Sequence, residues 1–256
     1  MFRTNTLKRK LAAGQQAIGV WSHAASPMLA ELLGQAGFDT VLIDDEHGVA
    51  GLHQTLGQLQ AIAATPATAL VRAPWNDHVY LKRVLDMGTE GVMVPSVNSA
   101  EEARAVVDAC WYPPEGKRGA APYAIRAANF GMDVPNYMER YRDELLIICQ
   151  IETAQAVEAI PDIAAVPGVD MLFIGPVDLS ASIGKLGRFD DPEVKALFAR
   201  AERAILDSGK WWGTISLPNR TARSLAAEGC HLVMDVTDMS LVREGARETL
   251  RAFRGG

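Results

Sequence analysis

The sequence predicts a (β/α)8 TIM barrel, and three observations favour that fold. The chain has 256 residues, and this barrel is typically built from about 250. Eight short apolar runs alternate with longer amphipathic segments, and seven of the eight lead directly into a helix-like stretch. The runs are continuously apolar, which is typical of parallel strands that are covered by helices. A doubly wound open sheet is the alternative architecture.

The candidate strands can be assigned in chain order. They begin at Ala17 (AIGVW), Thr40 (TVLID), Thr68 (TALVR), Gly91 (GVMVP), Leu145 (LLIICQIE), Val169 (VDMLFIG), Trp212 (WGTIS) and His231 (HLVMD). The fourth is the exception to the alternation, because its helix is followed by a long insertion at 111–144. Insertions of this size are usually functional loops or partner contacts. We expect one barrel domain over residues 1–256.

Composition excludes several classes of protein. The net charge is -6, whereas a nucleic-acid-binding protein needs a basic patch. No run approaches the roughly 18 apolar residues of a membrane span. The three cysteines (Cys110, Cys149 and Cys230) are far apart and form no CxxC pair, which fits buried thiols in a reducing compartment. We therefore expect a cytoplasmic protein that binds neither nucleic acid nor membranes.

The end of the second strand is unusually polar. Asp44, Asp45, Glu46 and His47 follow it directly. Three carboxylates held close together repel one another unless positive charge lies among them. The third strand ends in Arg72, which is a candidate for that charge.

Further polar residues follow the fifth and sixth strands. The sequence QIET supplies Gln150 and Glu152, and GPVDLS supplies Gly175 and Asp178. Taken alone, Glu152 or Asp178 also fits an ordinary role as a helix cap. The carboxyl ends of barrel strands meet at one rim, however, so these residues are expected to form one site. Carboxylates beside a histidine and an arginine suit a hard divalent cation with an anionic substrate.

Lysine is missing from the predicted rim. None of the seven lysines lies at the C-terminal end of a candidate strand, where a Schiff-base mechanism would need one. A metal must then act as the electrophile for chemistry next to a carbonyl. The sequence WSH places Trp21 and His23 after the first strand. We expect this pair to line a pocket at most, since a lone histidine there is more readily structural.

Several of these motifs together resemble the HpcH/HpaI aldolase family. They are AGFDTVLIDDEH, VRAPWND, VLDMGTEGVMVP, YPPEGKRG, QIET and GVDMLFIGPVDLS, in that order. The resemblance runs from about Ile18 to the C-terminus. It implies a barrel of the phosphoenolpyruvate/pyruvate type. It also implies a hexamer built from three dimers, with the last helix exchanged between the two subunits of each dimer. It also implies a bound Mg, Mn or Co ion.

The resemblance further implies a role for each matching residue. Glu152 and Asp178 would hold the metal, and His47 paired with Asp44 would act as acid–base. Arg72 would stabilise a pyruvate enolate, and Asp86 would assist catalysis. Substrate would contact Trp21, Arg72, Gln150, Gly175, Pro176, Val177 and Leu217.

The activity implied is reversible cleavage of a 4-hydroxy-2-oxo acid to pyruvate and an aldehyde, with related nucleophiles such as hydroxypyruvate. An acyl-CoA lyase or a 2-oxo acid decarboxylase using the same site is the alternative, and a non-catalytic binding protein is a third. Three features depart from the family pattern. They are Asp45, where glycine is usual, Asp235, and the pair Trp211 and Trp212, which we expect near the aldehyde.

Overall fold

The computed structural model describes residues 2–255 and confirms the predicted (β/α)8 barrel. Eight parallel strands pair in chain order, and the eighth closes onto the first. The strands are β1 (Ala17–Ser22), β2 (Thr40–Asp44), β3 (Thr68–Arg72), β4 (Gly91–Val94), β5 (Leu146–Ile151), β6 (Met171–Ile174), β7 (Trp211–Ile215) and β8 (Leu232–Thr237).

The helices cover the outside of the barrel and close one of its ends. They are α1 (Thr6–Ala12), α2 (Pro27–Gln35), α3 (Leu52–Ile62), α4 (His78–Met87), α5 (Ala100–Cys110), α6 (Val134–Glu144), α7 (Ala154–Glu158), α8 (Ile160–Ala164), α9 (Pro176–Ala181), α10 (Pro192–Asp207), α11 (Ala222–Ala227) and α12 (Asp238–Arg254). A short 3-10 helix occupies Arg126–Gly131. No helix of residues 2–255 is both long and apolar enough to cross a bilayer.

Both faces of β2, β3, β4, β5 and β6 are buried, which explains their continuous apolar runs. In β2, Leu42 packs with residues that fill the barrel interior, whereas Val41 and Ile43 pack with the layer beneath the helices. All three side chains have no exposed surface. The strand periodicity of two therefore persists, but it separates two apolar environments rather than core from solvent.

Helix α1 closes the N-terminal end of the barrel. Its two buried residues, Leu7 and Leu11, belong to the cluster that fills the barrel interior. The helix begins at Asn5, whose side chain accepts a hydrogen bond from the backbone N–H of Lys8. Asn5 is itself held by Glu144 at the end of α6. The opposite, C-terminal rim is where the strands deliver the polar residues.

The long insertion is packed against the barrel. Tyr112 and the α6 residues Tyr137 and Tyr141 form a buried aromatic cluster. The buried guanidinium of Arg118 lies 4.6 Å from the ring centre of Tyr112. The same guanidinium forms an ion pair with Asp86 on α4, at 2.7 Å. The insertion is thereby tied to the outer helical layer.

Candidate active site

The C-terminal rim surrounds a cavity of about 300 Å³, lined from seven of the eight strands or the segments that follow them. Nine of the residues predicted for the site line it: Trp21, His47, Arg72, Gln150, Glu152, Gly175, Pro176, Val177 and Asp178. His23, which the sequence offered as a possible pocket residue with a structural role more favoured, also lines it, as do three residues that the sequence did not point to: Phe173, Ile215 and Thr237. The strand-end prediction therefore located one coherent pocket.

Asp44 and Arg72 form the best-defined pair of the site. They face each other in the register between β2 and β3. Arg72 donates from Nε (2.8 Å) and Nη2 (2.5 Å) to the two carboxylate oxygens of Asp44, which is fully buried. Burial alone would raise the pKa of Asp44, but hydrogen bonds from His23 and Arg72 hold it well below its usual range. Asp44 is therefore an anion at any physiological pH.

The predicted side-chain pair between Asp44 and His47 is wrong. Only the backbone N–H of His47 reaches Asp44, at 3.3 Å, and its imidazole is 63% exposed. The nearest carboxylate to that ring belongs to Glu46, at 4.0 Å. The physical reason is that Arg72 and a second histidine already occupy both oxygens of Asp44.

That second histidine is His23, which follows β1. Its Nε2 lies 2.7 Å from Oδ2 of Asp44, and its ring lines the cavity. The sequence reasoning left this residue as structural. The signal that would have found it is its position, because β1 ends at the same rim as the strands that supplied the other candidates.

Glu152 is a buried carboxylate with an unusual proton affinity. Its two oxygens accept hydrogen bonds from Gln150 Nε2 and from the backbone N–H of Ser96, each at 2.8 Å. Burial raises the pKa of Glu152 to about 7, and the nearby carboxylates of Glu46 and Asp178 add to the increase. An excess of negative charge with too little compensation is what a cation would relieve.

The immediate surroundings of Glu152 fit a divalent cation. A Cβ on Gly175 would lie 2.7 Å from Glu152 Oε1, so only glycine lets this carboxylate occupy its place. Gln150 Oε1 is buried and lacks a hydrogen-bond partner. Within residues 2–255, no three His, Cys, Asp or Glu side chains are grouped to hold a metal by themselves. A cation here would take Glu152 and Asp178 from the protein and its other ligands from substrate and water.

Each acid of the Asp44–His47 segment has a partner that offsets the repulsion between them, and Asp44 and Glu46 share Arg72. Glu46 lies 3.0 Å from Arg72 Nη1. Asp45 points elsewhere and accepts hydrogen bonds from Tyr80 Oη and, at 2.7 Å, Thr55 Oγ1. Burial raises the pKa of Asp45, and the hydrogen bonds from those two hydroxyls oppose the increase.

The aromatic wall of the pocket supports Arg72. Its guanidinium carbon lies 4.5 Å from the ring centre of Trp21, a cation–π distance. Phe173 packs edge-on against Trp21, with ring centres 6.0 Å apart. The guanidinium of Arg72 is thus held between the ring of Trp21 and the carboxylate of Asp44.

Some predicted residues lie outside the cavity. Asp86 is bound to Arg118, and Leu217 is buried beside α10 in a different surface cleft. The expectation for Trp211 and Trp212 is wrong, because they begin β7 and so lie toward the N-terminal end of the barrel. Asp235, near the end of β8, accepts a hydrogen bond from Ser216 and is not part of the cavity lining.

The pocket defines a class of protein before any comparison is made. Its arginine is preorganised to stabilise developing negative charge, and it lies beside a carboxylate pair suited to a cation. This arrangement is typical of a (β/α)8-barrel enzyme that acts on an anionic substrate. Residues 17–244 match the HpcH/HpaI aldolase/citrate lyase family. The chain belongs to that family, and it is an aldolase, a lyase.

Individual relatives agree with this assignment. The chain is 41% identical over 251 residues to a hydroxypyruvate/pyruvate aldolase of Deinococcus radiodurans, covering 98% of this chain and 90% of that protein. It is 40% identical over 249 residues to a 4-hydroxy-2-oxo-heptane-1,7-dioate aldolase of Escherichia coli, covering 97% and 95%. A solved HpcH/HpaI aldolase/citrate lyase family protein from Burkholderia cenocepacia superimposes with a TM-score of 0.93 at 34% identity, covering 98% and 100%.

Proposed function

We propose that this aldolase cleaves 4-hydroxy-2-oxo acids to pyruvate and an aldehyde, with a divalent metal ion (Mg, Mn or Co) as cofactor. The observation that carries the proposal is that two carboxylates, buried Glu152 and exposed Asp178, line one cavity together with Arg72. Breaking the C3–C4 bond leaves a pyruvate enolate whose negative charge must be stabilised. The metal held by the two carboxylates and the guanidinium of Arg72 would together supply that stabilisation. The names of the two curated relatives support pyruvate, and the first supports hydroxypyruvate, as the nucleophile in the reverse direction.

The chain's own residues have distinct tasks in this reaction. Glu152 and Asp178 would hold the metal, which supplies Lewis-acid stabilisation of the enolate oxygen. Arg72 directs its remaining N–H groups at the developing oxyanion while Asp44 and Trp21 fix its position. The backbone at Gly175, Pro176 and Val177 begins α9 and would bind the substrate carboxylate, with Gln150 beside it.

Proton transfer requires a general acid–base, and the imidazole of His47 on the cavity wall is suited to that role. The exposed ring of His47 would have to turn inward, or act through water, to reach the aldol hydroxyl. The catalytic role of Asp86 and the substrate contact of Leu217 stay predictions. Neither residue lines the cavity in a single chain.

We also infer that α12 is covered by a second copy of this chain. Asp238 is its only buried residue. Met239, Val242, Leu250 and Phe253 lie on one face of the helix and are exposed. An apolar stripe without a partner in its own chain suits the exchange of C-terminal helices between subunits of a hexamer.

Cytoplasmic localisation is part of the same proposal. The three cysteines are free and buried, as expected for thiols in a reducing compartment.

The test is pyruvate release from a panel of 4-hydroxy-2-oxo acids. Activity should disappear with EDTA and return when Mg, Mn or Co is added. Cleavage that resists EDTA would contradict the roles given to Glu152 and Asp178. If the metal binds but no member of the panel is cleaved, the acyl-CoA lyase or 2-oxo acid decarboxylase becomes the better assignment.

A further inference from the structure

The imidazole of His23 is held more firmly than that of His47. The backbone N–H groups of His23 and Ala24 donate to the carboxylate of Asp238, at 2.9–3.1 Å. Asp238 is buried at the start of α12. Ala25, two residues after His23, has a φ of 52°, so the chain makes a constrained turn here. The His23 ring lies nearly parallel to that of Trp21, at an interplanar angle of 17°.

The ring nitrogens of His23 can be assigned from their surroundings. Asp44 is an anion and cannot donate, so the 2.7 Å contact requires that His23 Nε2 carries a proton and donates it. In the neutral imidazole the lone pair therefore lies on Nδ1. That atom makes no hydrogen bond to residues 2–255, and it is not one of the side-chain atoms buried without a partner. Nδ1 is thus solvent-accessible, on a side chain that lines the cavity.

Charged groups from several elements surround the ring of His23. Asp44 binds Nε2 from β2, and Asp238 Oδ1 from α12 lies 3.9 Å from Nδ1. The cation Arg72 faces the same pocket, but Asp44 binds it through two hydrogen bonds. The other titratable groups of the lining are His47, Glu152 and Asp178. The ring of His23 therefore has a buried carboxylate near each of its nitrogens.

We propose that His23, oriented by Asp44, exchanges the proton of the aldol hydroxyl, and that this is a catalytic role additional to that of His47. The geometry is that of a carboxylate–imidazole pair, in which the carboxylate fixes the tautomer and the opposite nitrogen acts as base. The inference rests on the proposed function, because it needs a substrate with a hydroxyl at C4.

The step balances without a further reactant. In the cleavage direction Nδ1 takes the C4 hydroxyl proton, and the O–H electron pair becomes the second bond of the aldehyde carbonyl. The C3–C4 electron pair moves into the pyruvate enolate. The enolate is then protonated at C3, and the imidazolium releases its proton to solvent. In the direction of synthesis, His23 protonates the alkoxide that forms at C4.

The test compares two reactions of the metal-loaded enzyme. Aldol cleavage needs a group that accepts the hydroxyl proton, whereas decarboxylation of oxaloacetate generates the same enolate without one. Removing a general base typically costs about 10² to 10⁴ in rate. His23→Gln is therefore expected to lower kcat for cleavage at least about 100-fold. Decarboxylation should stay within about threefold. His53→Gln, at an exposed histidine of α3, is the matched control.

Several results would overturn the inference. One is cleavage by His23→Gln within about threefold of wild type. Another is an equal loss of both reactions, which would mean that His23 only supports Asp44 and Arg72. Should His23→Gln fold poorly, His23→Ala assayed with added imidazole replaces it, and rescue of cleavage is the expected result. Wild-type enzyme that neither cleaves nor decarboxylates would refute the proposed function instead, so the two failures are distinguishable.

Discussion

Replacing Glu152 with glutamine removes one carboxylate from a buried cluster while leaving the size of the side chain nearly unchanged. The glutamine resembles the protonated form of Glu152. Its amide can be accommodated because Gln150 Oε1 is buried without a partner and can accept a hydrogen bond once the Gln150 amide turns over. We expect the metal-free variant to be more stable than metal-free wild type at alkaline pH, and equally stable at acidic pH.

The magnitude follows from the proton affinity of Glu152. Its ordinary pKa is 4.5, and burial with the neighbouring carboxylates raises the pKa in the folded protein to about 7. The folded state therefore binds the proton more tightly than the unfolded state. Wild-type stability is complete below the unfolded pKa and falls as the pH rises through the folded one. A difference of about 2.5 pH units corresponds to about 3 kcal/mol.

The assay is unfolding in EDTA at about pH 4.5 and about pH 8, followed by circular dichroism. For a chain of this size about 3 kcal/mol corresponds to about 6–12 °C in Tm. Wild type should lose this amount relative to Glu152→Gln between the two pH values. Glu158→Gln, at an exposed glutamate of α7, is the control and should behave like wild type. Parallel pH profiles of wild type and Glu152→Gln would refute the reasoning. Saturating metal should stabilise wild type at about pH 8 and leave the variant unchanged.

Three further substitutions test other parts of the site. Arg72→Lys keeps the charge but loses the paired N–H donors, so kcat/KM should fall about 10²- to 10³-fold; a loss below tenfold in steady-state kinetics would contradict this. Gly175→Ala should weaken metal affinity by more than about tenfold in calorimetry because the new methyl displaces the metal-binding carboxylate, whereas Gly245→Ala, in open space, should not. Tyr80→Phe removes a hydrogen bond to half-buried Asp45 and should lower the free energy of unfolding by about 1–3 kcal/mol at neutral pH; an unchanged urea midpoint would count against that contact.

Much of the fold could be predicted from the apolar runs, and much of the pocket from the residues that follow them. The apolar runs indicated strands that are buried on both faces. Parallel pairing of these strands in chain order then places Asp44 next to Arg72. Glu152 and Gly175 follow the neighbouring strands β5 and β6 and came together for the same reason. The rule that polar residues gather at the carboxyl ends needed no side-chain detail.

The partner of Asp44 could not be obtained in this way. Register between β1 and β2 pairs Ser22 with Ile43, which places His23 beside Asp44 one residue further on. Register between β1 and β8 pairs Trp21 with Thr237 and brings Asp238 to the same place. Sequence patterns predict strands but not the register between them. Which histidine, His23 or His47, contacts Asp44 depends on that register and could not be predicted.

The helix at the far end of the barrel has a consequence for turnover. Because Leu7 and Leu11 of α1 fill that end of the barrel, the cavity cannot open through it. Both products of a cleavage must leave through the opening by which the substrate entered. They therefore depart in sequence, and the one lying deeper waits for the other. Slow release of the outer product would limit turnover. Product inhibition patterns should therefore show the order in which the two products leave.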